Sequence, residues 1–139
     1  MTTTQKLASR KKTKKKGIYV ISLRTTDRLW TKYKRIKENY TCQFCGRQYS
    51  PDNCRNLGVM HFHGRGHENV RFDEENTLCG CNIPCHRYLD THKTEFEEFV
   101  LKRLGQERYD LLNLRAHIHK DRDDRSDAII IKQLLKEVE

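Results

Sequence analysis

Apolar positions along the chain fall into four helical stripes, separated by a central stretch without regular period. Leu29, Trp30, Tyr33, Ile36 and Lys37 follow i, i+1, i+4, i+7, i+8 and predict a first helix, N-capped by Thr26 or Asp27. Phe96, Phe99, Val100 and Leu104 recur at helical spacing behind Thr94-Glu95-Phe96-Glu97, whose acids suit the positive start of a helix, and Gly105 stops it. A further helix is expected from Glu107 to about His117 on Leu111, Leu112 and Leu114. The charged run from His119 to Asp127 breaks the pattern. Ser126 is expected to cap a last helix whose Ile130, Ile131, Leu134, Leu135 and Val138 form one face. All these stripes read as core or packing faces. Arg28, Lys32, Lys34 and Arg35, on the other side of the first helix, read as a solvated face. Ile18-Tyr19-Val20-Ile21 has the content of a strand but too few residues to decide.

Length and charge narrow the picture. A chain of 139 residues has room for one domain and a tail, and with 35% hydrophobic against 34% charged residues its core must be small. The formal net charge of +9 is concentrated: residues 1–16 carry seven basic side chains and no acid. This segment reads as a disordered basic tail. Its Lys11, Lys12, Lys14, Lys15 and Lys16 are candidate phosphate contacts to nucleic acid, which would be released by salt. No apolar run approaches the ~20 residues of a membrane span, and no leader segment is recognisable. The expected location is the reducing cytoplasm, with no membrane partner.

Six cysteines change the picture most. In a reducing compartment, Cys42-Gln-Phe-Cys45-Gly46 followed by Cys79, Cys81 and Cys85 reads as a metal site rather than a disulfide framework. Four thiolates from Cys42, Cys45, Cys81 and Cys85 would bind a structural zinc ion and close the loop between the two pairs. Cys81 and Cys85 are spaced one residue wider than a usual knuckle. Cys79 could therefore replace Cys81, Cys54 is spare, and His86 beside Cys85 could serve as the fourth ligand.

The loop carries further candidates. His61 and His63 alternate on a short β-like run and would share a face. Asn82 and Pro84 look like the N-cap and first turn of a helix, which sets His86 and Asp90 at i, i+4, able to reach one ion together. Arg65 and Arg71 are candidate phosphate contacts, Arg65 being counted with the tail lysines as a nucleic-acid contact, with surface salt bridges as the other reading; His67, His117 and His119 read as surface or packing residues.

Taken in order, Cys42-x-x-Cys45, His61-Phe62-His63-Gly64-Arg65, Arg71-Phe72-Asp73-Glu74-Glu75-Asn76 and Cys85-His86 resemble the HNH endonuclease family. The resemblance is to its phage-encoded, zinc-stabilised form and the related recombination proteins of the NinG type, over about residues 28–104. It implies an α+β fold with a ββα-metal core: a hairpin and a helix gripping one divalent cation, clamped by zinc. An N-terminal helix would precede the core and C-terminal helices would pack on it. Residues 17–104 would be the nuclease domain and 105–139 a helical extension. By resemblance, His61 is the general base, Asn76 the residue that orients it, His86 a ligand of catalytic Mg2+ or Mn2+, and the four cysteines are structural. The implied activity is hydrolysis of DNA phosphodiester bonds, by a phage protein acting in its host's cytoplasm. One position departs from the pattern: Met60 stands where many members carry a ligand, and a thioether suits hard Mg2+ poorly. Asp90 or His63 is expected to complete the site. The alternatives are a zinc-dependent DNA-binding module without catalysis and a zinc-stapled protein-interaction domain.

Overall fold

The computed structural model describes residues 24–139, so the basic tail and the run at 18–21 lie outside the described residues. The first helix, α1 (Thr25–Lys37), buries Trp30 and Tyr33 as its stripe requires. Its cap differs from expectation. Arg24 is the N-cap, and Asp27 is the N3 residue, whose carboxylate reaches back to accept the Arg24 backbone N–H at 3.0 Å. An acid at N3 satisfies a helix-start donor as well as a capping side chain does, so the helix begins earlier. The basic side of α1 is not a solvated face either. Lys34 is fully buried and Arg35 donates to the Leu57 carbonyl at 2.7 Å, while Arg28 and Lys32 remain exposed.

Two strands, β1 (Leu57–His61) and β2 (Thr77–Cys81), pair antiparallel with Leu57 opposite Cys81 and His61 opposite Thr77. Both faces of this hairpin are covered. Val59 packs with Trp30, Tyr33, Ile131 and Leu135, whereas Leu57, Met60 and Leu78 belong to the cluster of Phe96, Val100, Leu104 and Leu112. Met60 is fully buried, its thioether lying over Gly80, where a Cβ would stand 2.3 Å from the Met60 methyl. Met60 is thus a core residue that requires glycine across the hairpin.

After β2 the chain makes a wide turn, Asn82–His86, and enters the short helix α2 (Arg87–Thr91). Asn82 does not cap this helix. Its side chain donates to the Arg55 carbonyl, Cys81 holds the N-cap position of the turn, and Ile83 is extended within it. Helix α3 (Lys93–Leu104) buries Phe96, Val100 and Leu104 and ends at Gly105, whose φ of +83° is the left-handed conformation that favours glycine. Helix α4 (Gln106–Ala116) buries Leu112 and Ala116 but leaves Leu111 and Leu114 exposed. Helix α5 (Asp124–Val138) lies against α1 and buries Ile131 and Leu135. Its N-cap is Asp123, which accepts the Ser126 N–H at 3.1 Å, so Ser126 is inside the helix and not its cap. The described part is therefore α+β, with five α-helices around one two-stranded antiparallel sheet. None of its helices is long and apolar enough to cross a membrane.

Candidate metal centre and the hollow beside it

The Cys42–Cys45 segment is a tight turn. Gly46 takes a φ of +79°, its N–H donates to the Cys42 carbonyl at 2.9 Å, and Thr41 bridges to Gln48 below. The turn presents two thiols toward Cys81, at the end of β2, and Cys85, in the following turn. Ligand atoms of Cys42, Cys45, Cys81 and Cys85 all lie within 4.8 Å of one another, the one such group of His, Cys, Asp or Glu among the described residues. The Sγ atoms of Cys45 and Cys81 are 3.6 Å apart. This is close to the ~3.8 Å edge of a tetrahedron with zinc–sulfur bonds near 2.3 Å, so the four residues fit zinc. Cys79 stands outside the group and burial pushes its thiol up to about 12, and Cys54 is half-buried with its thiol near the Pro51 carbonyl. The ring of His86 is engaged with Asp90 instead.

Polar groups around the sulfurs favour thiolate at one corner. Burial opposes charge on Cys42, but the backbone N–H groups of Cys45, Cys81 and Phe44 outweigh it and bring its pKa down to about 7. Burial pushes the thiols of Cys81 and Cys85 up. The Tyr49 hydroxyl donates to Cys81 Sγ at 3.0 Å and is itself held by Asn56. A divalent ion supplies the positive charge that several thiolates at one point require.

The turn and α2 bring His86 and Asp90 to the same hollow as the end of β1. This hollow of about 280 Å³ is lined by His61, Phe62, Gly64, Arg65, His86, Asp90 and Lys93. His61 Nε2 lies 2.9 Å from the Arg71 carbonyl oxygen. A carbonyl only accepts, so Nε2 carries the proton and Nδ1 the free lone pair. Burial, reinforced by the charge of Arg65, lowers the His61 pKa to about 4, which keeps the ring neutral. His86 Nε2 and an Asp90 carboxylate oxygen are 3.3 Å apart. Adjacent ligands of an octahedral ion with bonds near 2.1 Å are separated by about 3.0 Å, so this pair can share a small hard cation with little movement.

Asn76 lies beneath. It is fully buried, its Oδ1 accepts the His63 N–H at 2.8 Å, and its amide donates to the His63 and Val70 carbonyls. It therefore fastens the chain just beyond His61 and does not enter the hollow. The same bonds end the strand: with Asn76 occupying the His63 backbone, β1 stops at His61 and the alternation does not reach His63. His63 turns to Asn113 instead, Nε2 to Oδ1 at 2.8 Å, and is not brought together with His86. Arg71 makes a buried salt bridge to Asp27, with its Nη2 2.6 Å from the carboxylate, rather than a phosphate contact, while Arg65 faces the hollow.

The contributions of Tyr49 and the Arg71 carbonyl leave no trace in the sequence. Lys93 could be anticipated only as a cation near a helix start, one of many in this chain. No protein-family model matches the chain, and no curated protein or solved structure shows significant similarity to it.

Proposed function

We propose that the chain is a zinc-stabilised, metal-dependent endonuclease of the HNH type that hydrolyses DNA phosphodiester bonds. The observation that carries this reading is one hollow holding a histidine with a committed free nitrogen, a histidine–aspartate pair at ligand spacing, and two cationic side chains. His86 and Asp90 would hold a divalent ion such as Mg2+ or Mn2+, which would supply charge stabilisation to the phosphate and the leaving oxygen. His61 Nδ1 takes the proton of the attacking water, its ring oriented by the Arg71 carbonyl. Arg65 and Lys93 hold the non-bridging phosphate oxygens. Asn76 keeps the loop behind His61 in place. Basic residues of the tail and of the exposed side of α1 would contact the duplex through phosphates, giving weak sequence preference.

One feature favours the second reading, a DNA-binding module without catalysis: Met60 lies in the core and offers no ligand. Plasmid cleavage by the zinc-loaded protein, with and without Mg2+ or Mn2+, separates the two. Cleavage is expected to need the added ion and to fall on the order of 10²–10⁴-fold in His61→Ala. In Asp90→Ala it is expected to require more of the ion. A gel shift without cleavage in both wild type and His61→Ala would replace the nuclease by the binding module. Cleavage indifferent to His61→Ala would remove His61 from its role.

A further inference from the structure

Outside that hollow, three histidine rings form a near-equilateral triangle. Ring centres of His63 and His67 are 5.4 Å apart, those of His67 and His117 6.2 Å, and those of His63 and His117 6.3 Å. The triangle arises from the way α4 ends. The last carbonyls of a helix have no partner within it. At α4 the His117 and Ile118 N–H groups serve the Leu114 and Arg115 carbonyls, and side chains supply the others: His117 Nδ1 donates to the Asn113 carbonyl at 2.7 Å and His67 Nδ1 to the Ala116 carbonyl at 3.0 Å, while Asn69 adds a second bond to the Arg115 carbonyl at 2.9 Å. His63 Nε2 donates to the Asn113 side-chain oxygen at 2.8 Å. Each ring has thus committed one nitrogen as a donor to an oxygen. Each keeps one lone pair: Nδ1 of His63, and Nε2 of both His67 and His117.

We propose that His63, His67 and His117 form a second metal site, for a borderline divalent ion of the zinc, nickel or cobalt class. Three arguments support it. Imidazoles held by an oxygen on one nitrogen and open on the other are in the tautomer that metal-binding histidines adopt. An all-imidazole set selects this class of ion over Mg2+ or Ca2+, which prefer oxygen. The site also sits at the C-terminus of α4, where the helix dipole favours positive charge. His67 and His117 are exposed and border an open hollow of about 360 Å³ with Glu68 and Lys120, so an ion can enter from solvent and keep a water ligand.

The rings are not gathered as tightly as the four sulfurs. Three imidazoles on one tetrahedral ion have centres about 5.2 Å apart, and the free nitrogens of the three rings do not lie within 4.8 Å of one another, so closure turns the rings as well as drawing His117 inward by about 1 Å. His117 lies one residue beyond α4 and is exposed, which leaves its ring room to move. The proposal is independent of the nuclease reading, since none of the three rings lines the hollow of His61.

The test uses full-length protein carrying one zinc per chain, titrated with zinc chloride by calorimetry. In parallel, the histidine ring nitrogens are followed by NMR. A further equivalent is expected, with the ring signals of His63, His67 and His117 shifting together. Its binding should weaken on the order of a hundredfold in His67→Ala and in His117→Ala, and about 10–100-fold in Asn113→Ala, which frees the His63 ring. It should be unchanged in His86→Ala. Absence of any further equivalent overturns the proposal. So does one that, with the other hollow emptied by His86→Ala, still survives His67→Ala, or the loss of the three ring shifts in His86→Ala alone.

Discussion

His61 shows how one side chain is set by its surroundings. Burial holds its pKa at about 4 against an ordinary 6.5, so between these values an unfolded chain binds a proton that the folded chain refuses. Stability from this group is therefore full above pH 6.5 and is lost as pH falls toward 4. Measured by urea unfolding against His61→Gln, the wild type is expected to lose on the order of 2–3 kcal/mol of its relative stability across that window. Both proteins carry the same four cysteines and are expected to release zinc alike on acidification, so the difference isolates the ring; a flat difference would mean the imidazole is not buried in its neutral form. Residues of this kind are legible in sequence only in part. His61, Asn76, His86, Asp90 and the four cysteines declare their chemistry by type. The partner that orients His61 is a backbone carbonyl, which every residue possesses and no sequence marks. Lys34 misleads in the opposite way: a lysine among other basic residues, it is buried with its ammonium 3.6 Å from Glu74.

Among the elements, the helices were readable because each packs on one side, so burial and spacing coincide. Their starts were less so, because Asp27 and Asp123 satisfy helix-start N–H groups from different positions, N3 in one case and the N-cap in the other. The hairpin had almost no pattern. Covered on both faces, Thr77-Leu78-Cys79-Gly80-Cys81 has no polar side to alternate with, and β1 is cut short by the Asn76 side chain. What joins these short pieces is the cysteine cluster, and two neighbouring cysteines of one strand test it. Cys81→Ala is expected to lose the bound zinc, and with it much of the roughly 10 kcal/mol that such an ion contributes to folding. Cys79→Ala, two residues away, is expected to keep one zinc per chain. Metal content after gel filtration, together with circular dichroism, reads both; equal zinc in the two variants would mean the wrong cysteine has been assigned.

Across the whole molecule, the helices after Gly105 belong to the same packing as the hairpin. Leu112 and Ala116 of α4 join the cluster of Met60 and Leu78, and Ile131 and Leu135 of α5 close over Trp30 and Val59. Ile131→Ala should therefore cost about 2–4 kcal/mol of stability in urea unfolding. Its neighbour Ile130, 58% exposed, should change stability by no more than about 0.5 kcal/mol when made alanine. Similar losses at both positions would show that α5 is docked through a different face. This three-dimensional sharing was invisible in the sequence, since the stripes announce that a face is buried but not against what. Nor does the architecture by itself name an activity, because chemistry resides in the few side chains around a hollow and not in the arrangement of helices that holds them.

Arg71 joins these scales. Its guanidinium is bound by Asp27 of α1 and donates to the Arg65 carbonyl, while its own carbonyl holds the His61 ring. Anyone seeking to transplant the hollow into another scaffold would be inclined to cut out the cysteine turn, the hairpin and α2, and to discard α1 as an ornament. Such an excision would leave the guanidinium without its carboxylate and the loop at Arg65 and Arg71 without its anchor. The smallest portable unit therefore starts no later than Arg24, some eighteen residues before the first cysteine.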